Sequence, residues 1–143
     1  MNYIFHTITI CFILLEVVWL INPKKQVAST KKYLEESKKH KGKKWDSHPE
    51  YYKDLMIQKG CSSLVAISWM FIGLLTFNWV AFLGLIIFNI LIVAPLSKVT
   101  KYSASYVILH WCNSLIGFSV AIFILINSFH LKINLYELFL KQL

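Results

Sequence analysis

The sequence predicts an all-α fold: an integral membrane four-helix bundle with a short helical cytoplasmic segment between spans one and two. Three observations lead there. Hydrophobic residues make up 57% of the 143-residue chain, above the share of about 45–50% in soluble domains. Charged residues make up only 15%, against about 25% in soluble domains. The charge is also segregated. Most of it, 16 of the 22 charged residues, lies between Lys24 and Lys59, and long apolar runs fill the rest, which is the distribution of a membrane protein.

Transmembrane helix 1 occupies residues 1–21, with an apolar run from about Tyr3 to Ile21 that Asn22-Pro23 ends. A signal peptide carries its positive charge before the apolar stretch and a small-residue cleavage site after it. Here no Lys precedes the run, and Lys24 and Lys25 follow it. The pattern predicts an uncleaved anchor whose start is outside and whose end is in the cytoplasm.

Residues 22–60 form the basic cytoplasmic segment, read as two short helices. The first spans about Thr30 to His40, with Thr30 as N-cap and Gly42 as the stop. Glu35 with Lys39 and Glu36 with His40 are its i,i+4 pairs. The second opens at Ser47, which has capping-box spacing to Glu50 with Pro49 in the first turn. It then lies on lipid or runs into span two with a bend at Gly60.

Apolar sequence then continues for 36 residues, from Cys61 to Leu96. A single helix of that length would be about 54 Å long, against a hydrocarbon core of about 30 Å. The run must fold back, and Phe77-Asn78-Trp79 is the place for a turn. This gives transmembrane helix 2 at 61–77 and helix 3 at 79–96. Transmembrane helix 4 covers 103–128. In the tail, 129–143, Leu131, Leu135, Leu138 and Phe139 share one helical face, predicting an amphipathic extracytoplasmic helix.

Lysine placement sets the orientation. All 15 cationic residues are Lys, 11 of them in segment 22–60, and Lys98 and Lys101 lie in the next loop on that side. The positive-inside rule puts these in the cytoplasm and both termini outside. The location read from this is a bacterial cytoplasmic (inner) membrane. Cys11, Cys61 and Cys112 form no CxxC pair, and their odd number argues against a disulfide framework.

The exposed chemistry is concentrated at Lys38, Lys39, Lys41, Lys43, Lys44 and Trp45. A basic stretch beside an aromatic is compatible with single-stranded nucleic acid. Membrane topology already requires these lysines, however, and anionic lipid headgroups attract them. Nucleic acid is therefore disfavoured, and headgroups or a protein partner are the expected contacts. His40 and His48 have no ligand-like companions, so no metal is predicted, and nothing calls for a cofactor.

Glu16 is the unusual residue, a carboxylate inside an apolar run. By helical rise it sits about 8 Å from the inner end of its span. Asn89 on span three and His110 on span four lie about 10 Å from theirs, and Asn113 is one turn further along. These four side chains form a predicted intramembrane polar cluster, in which His110 would offset the charge of Glu16. Small and polar residues also mark packing seams: Ser103, Tyr106, Gly117 and Ala121 on span four, and Ser62, Ala66 and Gly73 on span two.

Three function classes follow. The first is a non-enzymatic, membrane-anchored partner, an accessory or immunity-type subunit that binds a protein or self-associates. The alternative is an oligomeric pore, or a proton- or ion-conducting effector using Glu16 and His110. A lipid-acting enzyme ranks lowest, because the chain has no nucleophile–base motif and no phosphate-binding glycine loop.

Overall fold

The computed structural model describes residues 2–76 and 79–128, and the described residues are helical with short connections. Among the described residues, four stretches are long and apolar enough to cross a membrane: Tyr3–Ile21, Glu50–Leu75, Trp79–Thr100 and Ala104–Ile126. The Phe77-Asn78 part of the expected turn and the amphipathic tail over 129–143 lie outside the described residues.

Helix α1 (Asn2–Ile21) ends where Pro23 cannot continue its hydrogen-bond ladder. Asn22 turns the chain, and α2 (Pro23–Lys39) starts at once, with Pro23 in its first turn. The first extra-bundle helix therefore begins seven residues earlier than expected. Thr30 is not its cap: its hydroxyl donates back to the Gln26 carbonyl at 2.9 Å inside the helix. Gly42 does supply a left-handed residue, at φ 81°, just past the helix end.

A 3-10 turn (Trp45–Ser47) leads into α3 (Glu50–Thr76). Ser47 does not cap α3, because its hydroxyl is bonded to the Lys44 carbonyl at 2.7 Å. Pro49 supplies the first accepting carbonyl instead, taken by Tyr52 and Lys53. The helix runs unbroken through Gly60, so the second expected short helix and span two are one element. Its 27 residues extend about 40 Å, roughly two turns more than a bilayer core needs.

Helix α4 (Trp79–Phe88) passes through a π-helical turn (Asn89–Val93) into α5 (Ala94–Thr100). Pro95 accounts for that turn. It has no N–H to give, and its ring clashes with the carbonyl four residues back. The helix widens, with the Ala94 N–H reaching the Asn89 carbonyl. Lys101 (φ 20°) and Tyr102 (φ 60°) then make a tight turn. Helix α6 (Ala104–Ile126) starts at Ser103, whose hydroxyl accepts from the Tyr106 N–H.

Helix α1 packs between α6 and α3, α3 packs on α4, and α5 closes back onto α6. The core is aromatic. Trp69 and Phe82 are fully buried. Phe12 stacks on Trp69 at 4.0 Å and 7°, and Phe82 meets Trp69 edge-on at 4.9 Å. Gly73 is small because the Phe82 ring lies directly over it. Thr9 satisfies the buried indole: it accepts from Trp69 Nε1 at 3.1 Å and donates to the Phe5 carbonyl at 2.8 Å.

Candidate functional site

Below this aromatic layer, toward the lysine-rich end, lies a cavity of about 190 Å³. Phe12, Ala66, Trp69, Met70 and Leu85 form its apolar wall, and Glu16, Asn89, Asn113 and Gly117 its polar side. Three of the four residues expected to share a level therefore line one space. Asn89 holds its own orientation, because its side-chain amide donates to the Leu85 carbonyl at 2.9 Å.

Glu16 reaches this cavity across Gly117. A methyl group on Gly117 would sit 3.4 Å from Glu16 Oε1 and 3.3 Å from the Phe12 ring, so the glycine makes room for both. Ser114 is the polar side chain that meets the carboxyl. The other oxygen, Oε2, is buried without a hydrogen-bond partner among the described residues. A second cavity of about 220 Å³ lies on the other side of Glu16, toward the lysine-rich end, with Gln26, Gln58 and Ser62 in its lining. Among the described residues, no cationic side chain lines either cavity.

His110 is placed differently from the expectation. It does not pair with Glu16. Its Nε2 lies 3.2 Å from the Ser97 hydroxyl on α5, and its ring is 4.2 Å from Tyr106 and 5.7 Å from Trp19. The reason is local. His110 sits one turn nearer the lysine-rich end than Ser114, where α5 crosses α6. The π turn before Pro95 swings Ser97 onto that side.

The seam residues divide in the same way. Gly117 and Ala121 are buried, together with Ser114, along α6. Ser103 is an exposed cap, Tyr106 packs against His110 and Tyr102, and Ser62 bonds its own helix at the Gln58 carbonyl. Ala66 lines both cavities, and Gly73 accommodates Phe82. Sequence reasoning missed Ser114, although the 110, 114, 117, 121 spacing puts it on the buried face. It also missed Trp111, whose indole donates to the Leu20 carbonyl at 3.2 Å and satisfies one orphan group at the end of α1.

The lysine-rich hairpin has its own small core. Tyr52 is buried among Tyr33, His40 and His48. Glu36 accepts from Lys39 Nζ and from the Tyr51 hydroxyl, each at 2.7 Å, and lies 3.5 Å from His40. The expected Glu35–Lys39 pair is replaced by Glu36–Lys39. The Lys39 and Tyr51 hydrogen bonds pull the Glu36 carboxyl down to about 2. Lys59 Nζ, donating to Thr30 Oγ1 at 3.1 Å, ties α3 to α2. Lys38, Lys41, Lys43, Lys44 and Trp45 remain exposed.

Comparison of the chain with known protein families, with curated proteins and with solved structures finds no match. What the fold and composition define is a class: a protein whose described residues are all-helical, with four helical stretches among them long and apolar enough to cross a membrane.

Proposed function

We propose that this chain is a four-span membrane protein that works without chemistry of its own, as a membrane-anchored partner or accessory subunit of the immunity type. The lysine-rich hairpin faces the cytoplasm, both termini face outside, and the home membrane is a bacterial cytoplasmic membrane. Its contacts are anionic headgroups and a partner, either another protein or a second copy of this chain. The observation that carries this reading is the hairpin itself. Its aromatic core and the Glu36 network make it an ordered platform, which holds Lys38, Lys41, Lys43, Lys44 and Trp45 outward. A linker that only joined two spans would need no core of its own.

A second reading is conduction of protons or ions by an oligomer through Glu16. It is favoured by the unpartnered Oε2 between two cavities, because intramembrane carboxylates mark ion and proton pathways. Proton and sodium flux through proteoliposomes, measured across pH and protein density, separates the two. The accessory reading expects no flux above empty vesicles. Flux that disappears in Glu16→Gln and persists in a correctly folded His110→Ala would replace it with the conducting reading.

A further inference from the structure

Where α2 meets the α5–α6 turn there is a pocket of about 360 Å³, lined by Lys38, Ser97, Lys98, Lys101, Tyr102 and Tyr106. That volume is in the small-ligand range of roughly 300–1,000 Å³. Three lysines from two separate elements converge on it. None of the three has a carboxylate partner among the described residues, whereas Lys31, Lys39 and Lys53 each do. The uncompensated charge calls for an anion with more than one negative charge.

The backbone is arranged around the same point. Lys101 and Tyr102 both have positive φ without being glycine, a conformation that persists only when its surroundings hold it. It fixes Lys101 beside Lys98 and sets the Tyr102 ring 5.2 Å from that of Tyr106, on the pocket wall. Helix α2 leans on α6 and brings in Lys38 from the far side. The Ser97 hydroxyl already donates to the Val93 carbonyl at 2.7 Å, so the lysines and the tyrosine hydroxyls are the donors left for a ligand.

The pocket lies at the common end of two apolar stretches, Trp79–Thr100 and Ala104–Ile126. Tyrosine is the residue type of the headgroup layer, and basic pockets between spans hold phosphate headgroups there. The same hairpin carries a separate, largely apolar groove of about 310 Å³ lined by Leu96, Thr100, Ser105, Ile108 and Leu109, which shares no lining residue with the lysine pocket.

We propose that this pocket binds the phosphate headgroup of an anionic phospholipid whose phosphate carries two charges or which has two phosphates, with Lys38, Lys98 and Lys101 as its ligands. The inference rests on the membrane placement proposed above and makes its general headgroup contact into one defined site. It differs from the loop lysines, which act as a diffuse charge.

The test uses the full chain in nanodiscs of neutral phosphatidylcholine doped with phosphatidic acid or cardiolipin, with bound lipid counted by native mass spectrometry. Retention of phosphatidic acid or cardiolipin over phosphatidylcholine is expected. Each of Lys38→Gln, Lys98→Gln and Lys101→Gln should weaken it by about fivefold. Lys98→Arg should retain it, which separates loss of charge from loss of fold. Lys43→Gln and Lys44→Gln, which remove only diffuse charge, should weaken it by less than about twofold. Equal losses from the loop and pocket variants would overturn the site in favour of diffuse attraction. Glycerol phosphate or inorganic phosphate competing as strongly as the lipid would overturn the lipid assignment. Failure of the chain to incorporate into any nanodisc would count against the membrane placement, a separate result from loss of selectivity.

Discussion

Gly73 and Gly84 are both helical glycines, yet they should respond to alanine in opposite directions. A Cβ on Gly84 meets nothing within 4 Å, whereas one on Gly73 lands inside the Phe82 ring. Alanine in a helix is favoured over glycine by about 1 kcal/mol, so Gly84→Ala should stabilise by up to that amount. At Gly73 the same gain is opposed by overpacking, typically 1–3 kcal/mol. The upper end applies, because Phe82 is fully buried against Trp69 and Phe5 and has nowhere to swing. The net expectation is a loss of about 2 kcal/mol for Gly73→Ala, about 3 kcal/mol apart from Gly84→Ala. Unfolding in mixed micelles with increasing SDS, followed by circular dichroism, measures both. Phe82→Leu should relieve the clash, so the double variant should lose less than the sum of the singles. If Gly73→Ala proves as stable as Gly84→Ala, the α3–α4 packing described here is wrong.

The remaining predictions concern polar groups. Thr9→Val leaves the buried Trp69 N–H without an acceptor and should cost about 1–3 kcal/mol; a neutral result would contradict the Thr9–Trp69 bond. Glu16→Gln keeps the side-chain volume and should change stability by less than about 1 kcal/mol, since no ion pair is broken. A loss of about 3–5 kcal/mol, the cost of breaking a buried pair, would show that Glu16 has a cationic partner after all. The carboxyl of Glu36 is depressed to about 2, so its contribution to the hairpin is complete above the ordinary carboxyl value of 4.5 and is lost as pH falls toward 2. Tyr51→Phe removes one of its hydrogen bonds and should raise its titration midpoint, read by carboxyl carbon NMR; an unchanged midpoint would remove Tyr51 from the network.

The helices were legible because apolar length is a strong signal. A run of 36 residues cannot stay straight in a bilayer, and one fold-back is the only solution. Counting along the fixed rise per residue also grouped Glu16, Asn89 and Asn113, which line one cavity. Rotation about each helix axis was not legible, since it is decided by how the aromatic layer packs. Hence Ser114 meets Glu16, while His110 turns to Ser97. The caps at Thr30 and Ser47 failed for a different reason. Short hydroxyl side chains also satisfy a carbonyl three or four residues back, and here they do. The pocket at Lys38, Lys98 and Lys101 joins residues 60 or more positions apart in the chain, and no local pattern announces it.

The π turn over Asn89–Val93 works as a phase shifter. One residue more than an α-helix needs is threaded into the ladder, which rotates everything after it by about 100°. Ser97, Lys98 and Lys101 owe their bearing to that offset. Deleting a single residue between Asn89 and Val93 would leave the composition, length and apolar character of the span almost untouched. It would nonetheless turn Ser97 away from His110 and two lysines away from their pocket. In this chain an insertion or deletion of one residue there is a larger change than many substitutions, because it re-aims a whole helix end at once.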